Sequence, residues 1–153
     1  MLSQAGSLLL FVGIASSLIL LSSVGRPIGA SSKNLVLFSQ ALPFVLLTYC
    51  FVTDARSIEL VYRFGGDDLP LFYRVSAVWS SRSGPLLLWA AMMAVVTRLM
   101  SNKEHVVSVE VAIMHAWTAF LLVLSAMLGP FESTISSTSS GLNPLLQTDL
   151  MVI

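Results

Sequence analysis

Apolar residues gather into four long runs separated by short polar breaks. Crossing about 30 Å of hydrocarbon as a helix takes about 20 mostly apolar residues, because a helix satisfies its own backbone there and an open chain does not. The pattern predicts spans over Leu8 to Val24, Leu35 to Thr53, Pro85 to Met100 and Val106 to Leu128. The first run closes on Gly25-Arg26-Pro27, a flexible residue, a charge and a helix breaker in succession. No basic residue precedes it and no convincing cleavage site follows, so it is read as a retained helix and not as a signal peptide. Pro43 falls inside the second run, where a kink is expected rather than a break, since neighbouring helices can cover the freed carbonyl. Pro85 suits the start of the third, and Gly129-Pro130 ends the fourth.

Four crossings place both termini and the loop 54–84 on one side, with the tail 129–153, and the two short connections on the other. The eight Lys and Arg divide evenly between the sides, but the short connections are denser in them, near Arg26, Lys33, Arg98 and Lys103. The positive-inside rule then sets the short loops in the matrix or cytoplasm, and the long loop and tail in the intermembrane space or periplasm. The patch ESTISSTSSG at Glu132 to Gly141 reads as a polar linker. The apolar tail after it is too short to span and is expected on a membrane surface or a partner.

Composition sharpens this into an integral membrane protein of the all-α class, a single membrane domain over residues 1–153. Only 10% of residues are charged and 56% are apolar, against about 25% charged in soluble domains. Formal net charge is zero and no Lys/Arg block exists, so nucleic acid is not an expected partner. The single Cys50 lies in an apolar run, can form no intrachain disulfide and leaves the redox compartment open.

The chemistry on offer is sparse. His105 sits beside Lys103 and Glu104 at the head of the fourth run and reads as interfacial. Glu110 and His115 fall within that run, where a charge at mid-depth costs at least about 2.5 kcal/mol. Five positions apart, they stand about 140° around the helix and do not share a face. A neutral His115 hydrogen-bonded to a neighbouring helix is preferred over a haem or metal ligand. Gly65-Gly66-Asp67-Asp68 reads as a turn, not a cation site. No metal-ligand cluster, phosphate loop or nucleophile elbow is present, so no catalytic residue and no metal site is assigned. Aromatic residues concentrate in or beside the long loop: Tyr62, Phe64, Phe72, Tyr73, Trp79 and Trp89. They form either a belt at the headgroup level or a wall for a flat apolar ligand.

The stretch LPLFYRVSAVWSSRSGPLLLW, Leu69 to Trp89, resembles the haem lyase subunit of cytochrome c maturation, the CcmF family. That family carries Tyr-Arg, four residues and Trp, then a small residue, His-Glu-Gly-Ser and Leu-Leu-Trp at the mouth of a helix. Tyr73, Arg74, Trp79, Gly84, Leu87, Leu88 and Trp89 fall on this pattern. GLNPLLQTD, Gly141 to Asp149, is similar to a second family segment, Leu-Asn-Pro-Leu-Leu-Gln-Asp. Arg82 and Ser83 stand where the family has His-Glu, and Pro85 where it has Ser.

The resemblance implies a part in attaching haem to apocytochrome c at a Cys-x-x-Cys-His sequence on the outer face of the membrane. It covers the N-terminal portion of the lyase, ahead of the family's His-Pro-Pro axial ligand and its tryptophan-rich signature. Haem is therefore expected only together with partner chains carrying those motifs, in a lyase split among several polypeptides, as in some mitochondria. Trp79, Trp89, Arg74 and Arg82 are the implied haem contacts, Arg because its planar fork pairs with propionate carboxylates. Expected partners are the remaining lyase chains, apocytochrome c, other maturation proteins and the lipid membrane. The expected location is the mitochondrial inner membrane, or the bacterial plasma membrane. The alternative is a non-catalytic structural subunit of a larger respiratory complex, descended from the same family. In that reading Gly13, Ala15, Ser16 and Ser17 allow close helix contacts.

Overall fold

The computed structural model describes residues 1–66, 70–101 and 105–134. The acidic pair Asp67-Asp68 and the Gly141 to Asp149 segment lie outside the described residues. Six α-helices follow in order: α1 (Leu2–Leu21), α2 (Ala30–Val52), α3 (Glu59–Phe64), α4 (Leu71–Ala77), α5 (Ser83–Met100) and α6 (Val109–Met127). A single 3₁₀ turn, Val78–Ser80, joins α4 to α5. Four of the helices, α1, α2, α5 and α6, are long and apolar enough to cross a membrane. Among the described residues no strand forms; the extended pairing is limited to two isolated antiparallel bridges, Pro27 with Val106 and Ile58 with Ser133.

The spanning helices close a ring in which α1 packs on α2 and α6, and α5 packs on the same two. At one end the short connections pair with each other: Gly25 N–H donates to the Val107 carbonyl and Val107 N–H to that of Arg26. At the other end the N-terminus, α3, α4 and residues 131–134 come together. There Glu59 N–H donates to the Glu132 carbonyl and Thr134 N–H to that of Ser57.

All four spanning helices start away from the first residue of their apolar runs, α5 by only two positions. α1 begins at Leu2, and in its first turns, which contain Ser3 and Gln4, Gly6 is the residue that is buried. Gly6 lies under the ring of Phe131, where a Cβ would come within 2.2 Å of Cδ1. α2 begins at Ala30, and its polar first turn serves its neighbour: buried Lys33 donates its ammonium to the carbonyl of Ser101, at the C-terminus of α5. A cation there meets the negative end of the helix dipole. Val106 and Val107 are extended in the bridge to residues 25–28, so α6 starts at Val109, behind Ser108, whose hydroxyl accepts from Val111 N–H.

Pro43 lies inside α2, as its place in the run suggested. Its missing N–H leaves the Ser39 carbonyl without a donor four residues on. Gly13 of α1 packs against that oxygen, close enough that a Cβ would stand 2.8 Å away. Ser16 and Ser39 share a hydrogen bond of 2.8 Å beside it. Thus Gly13, Ser16 and Ser17 form a contact inside the bundle, while Ala15 faces outward. Two apolar clusters result: one at the long-loop end, built on Leu10, Leu47, Phe51, Leu87, Leu122 and Phe131, and a smaller one of Leu20, Val107, Val111 and Ala112.

Candidate functional site

The segment from α4 to the second turn of α5 is an outer layer over the end of the bundle, and most of its small and polar residues hold backbone. Ser81 hydroxyl donates to the Val78 carbonyl at 3.2 Å and accepts from Gly84 N–H at 3.1 Å. Ser83 is buried, and its carbonyl accepts from Ser125 of α6 at 3.5 Å. Gly84 passes so close to Val78 that a Cβ would sit 1.9 Å from its carbonyl oxygen. Pro85 is the third residue of α5, not the first, and still loses nothing, because the first four helical N–H groups have no partner in the helix.

This tight entry presents what surrounds it. Trp79 is 58% exposed in the 3₁₀ turn and Trp89 is 65% exposed on α5, while Arg82, the residue before α5, is exposed as well. Arg82 keeps helical dihedrals and stands seven positions before Trp89, two turns away, on the same side of the helix and about 10 Å along it. Phe72 and Tyr73, both exposed, meet edge to face at 6.1 Å between ring centres. Arg74 is used differently. Its guanidinium donates to the Val52 carbonyl at 3.1 Å, the C-terminal end of α2. So three of the four implied contacts, Trp79, Arg82 and Trp89, are exposed just before and within the first two turns of α5, and Arg74 is held against the C-terminal end of α2.

The chain matches curated relatives from bacteria. It is 32% identical over 118 residues to the cytochrome c-type biogenesis protein Ccl1 of Rhodobacter capsulatus, covering 70% of this chain and 18% of that one. It is 34% identical over 116 residues to CcmF of Pseudomonas aeruginosa, again 70% and 18%. It is 29% identical over 168 positions to CcmF of Haemophilus influenzae, covering 96% of this chain and 26% of that one. The chain belongs to the CcmF family. It spans about a fifth to a quarter of the length of these relatives. No family model and no solved structure matches it.

For a CcmF-family chain, the outer layer suits one part of a haem and not another. Flat aromatic surface and an exposed guanidinium are present for the macrocycle and its carboxylates. Among the described residues no histidine lies in this layer. Among the described residues no group of three or more His, Cys, Asp or Glu is placed to hold a metal. His105 is exposed in the connection at the opposite end, where its carbonyl accepts from Ile28 N–H. His115 is buried six residues into α6, counted from that same opposite end, with Nδ1 3.0 Å from Gln40 Nε2 of α2. This is the hydrogen-bonded imidazole the apolar run suggested. Glu110, by contrast, lies in the first turn of α6, at the end of the span, and is exposed.

The residue that reading along the chain missed is Gln40, almost fully buried and bonded to both Ser17, at 2.8 Å, and His115. A neutral amide in the middle of an apolar run was the available signal.

Proposed function

We propose that this chain is a membrane-embedded part of the apparatus that matures c-type cytochromes, and that its outer layer forms one wall of the haem-handling surface of a haem lyase. The observation that carries the reading is membership of a family whose curated relatives are named cytochrome c-type biogenesis proteins. The exposed indoles of Trp79 and Trp89, with Arg82 between them in sequence, support a haem contact on this segment. The matched stretch is about a fifth to a quarter of the relatives' length, and in the reading proposed here a companion polypeptide of a split lyase supplies the axial histidines and the tryptophan-rich signature. The membrane is the bacterial plasma membrane, the compartment of the matched relatives, or the mitochondrial inner membrane in a split system. Apocytochrome c approaches from the long-loop side.

The test is purification of the complex in mild detergent, identification of its companions by mass spectrometry and measurement of its haem spectrum. The expected result is a companion bearing His-Pro-Pro together with b-type haem. The double substitution Trp79→Ala with Trp89→Ala should lower haem content several-fold, while Arg74→Met, which removes a brace and not a wall, should act mainly on stability. Companions drawn from a respiratory complex, with no haem that responds to the two tryptophans, would establish the structural-subunit reading instead.

A further inference from the structure

Between the two apolar clusters lies a polar layer contributed by three helices. Gln40 Nε2 donates to Ser17 Oγ at 2.8 Å and stands 3.0 Å from His115 Nδ1, and Ser17 in turn donates to the Gly13 carbonyl at 2.8 Å. An amide nitrogen has two hydrogens to give and no lone pair to offer. With the amide in this orientation His115 Nδ1 is the acceptor and the ring proton resides on Nε2; the opposite orientation reverses the tautomer. The other end of the amide, Gln40 Oε1, is buried without a hydrogen-bond partner among the described residues. Turning the amide over exchanges its two ends and still leaves one of them unmatched.

A cavity of about 20 Å³ adjoins this layer, with Gln40 and His115 in its wall together with Thr97, Lys33, Arg98 and Ser101. About 10–15 Å³ is enough for one water, provided polar partners line the space. We propose that this cavity is a binding site for an ordered water molecule held by the unmatched end of the Gln40 amide, beside His115. An anion would oppose the buried carbonyl oxygen, and a cation would meet Lys33 and Arg98 in the same wall. A neutral molecule that can donate meets neither objection, and the space is sufficient for a single water. The lining reaches Arg98 and Ser101 at the short-connection end, away from the aromatic outer layer.

X-ray radiolytic labelling of the full chain in its native complex tests this, because hydroxyl radicals formed from a bound water oxidise the side chain beside it. Phe51, buried in the apolar cluster, serves as the reference. After correction for intrinsic reactivity, His115 should label several-fold faster than Phe51, and Gln40→Leu should bring it down to that rate. Labelling of His115 no faster than that of Phe51 in the unaltered chain overturns the proposal, whether or not the variant folds. Fast labelling that persists in Gln40→Leu also overturns it, since the water would not be held by the amide.

Discussion

Gln40 and His115 meet at 3.0 Å across the diagonal of the bundle, on α2 and α6, two helices that are not adjacent in the ring. The bond therefore ties together sides that apolar packing alone would leave free to slide. Gln40→Leu removes this bond and the one to Ser17, and it leaves the imidazole nitrogen facing an alkyl group. Bonds of this kind between membrane helices average about 0.6 kcal/mol and reach about 1.7, so a loss of about 1–2 kcal/mol is expected. Detergent-induced unfolding of Gln40→Leu, His115→Phe and the double variant measures it. A coupling indistinguishable from zero in that cycle would show the contact to be energetically idle.

Gly13 is the second point at which the helices are held close. Its missing side chain admits the Ser39 carbonyl, and a Cβ would come within 2.8 Å of that oxygen and 3.1 Å of Leu122 Cδ1. Backbone cannot rotate away as a side chain can. Gly13→Ala should therefore separate α1 from α2 and destabilise the bundle by about 1–3 kcal/mol, the range for overpacking. Ala15→Leu, on the outward face of the same helix, should change stability by less than about 0.5 kcal/mol. Equal effects at the two positions would contradict the packing described.

Gly84 is the corresponding point in the outer layer. A Cβ there would stand 1.9 Å from the Val78 carbonyl, so Gly84→Ala must displace the 3₁₀ turn that carries Trp79. With Trp89 and Trp117 replaced by Phe, the emission of Trp79 reports on that turn alone. A shift in its maximum and a stability loss of about 1–3 kcal/mol are expected. The exposed Ser80→Ala should change neither. An unchanged Trp79 spectrum in Gly84→Ala would mean that the turn is not held against α5.

The spans were legible along the chain because burial in hydrocarbon is decided by local composition. Any helix of about 20 apolar residues satisfies the same condition whatever its neighbours. The mouth of α5 was legible as a cluster of aromatic and arginine residues, since these stand within a few positions of one another. The role of Arg74 was not. It lies inside the same motif as Trp79, yet its partner is the Val52 carbonyl, 22 positions earlier.

The sequence by itself determined an all-α membrane protein with four spans and an aromatic segment between the second and third, because hydropathy, helix length and motif spacing are properties of neighbouring residues. It suggested a hydrogen-bonded His115 without naming its partner. Only the tertiary structure decided that Gln40 fills that place, that Lys33 and Arg74 close the ends of α5 and α2, and that Gly13 and Gly84 admit carbonyl groups from other segments. Each of these joins atoms distant in the chain through the direction of a hydrogen bond or the absence of a Cβ. Such directions follow from how helices are rotated against one another, and no local pattern of apolar and polar residues encodes that rotation.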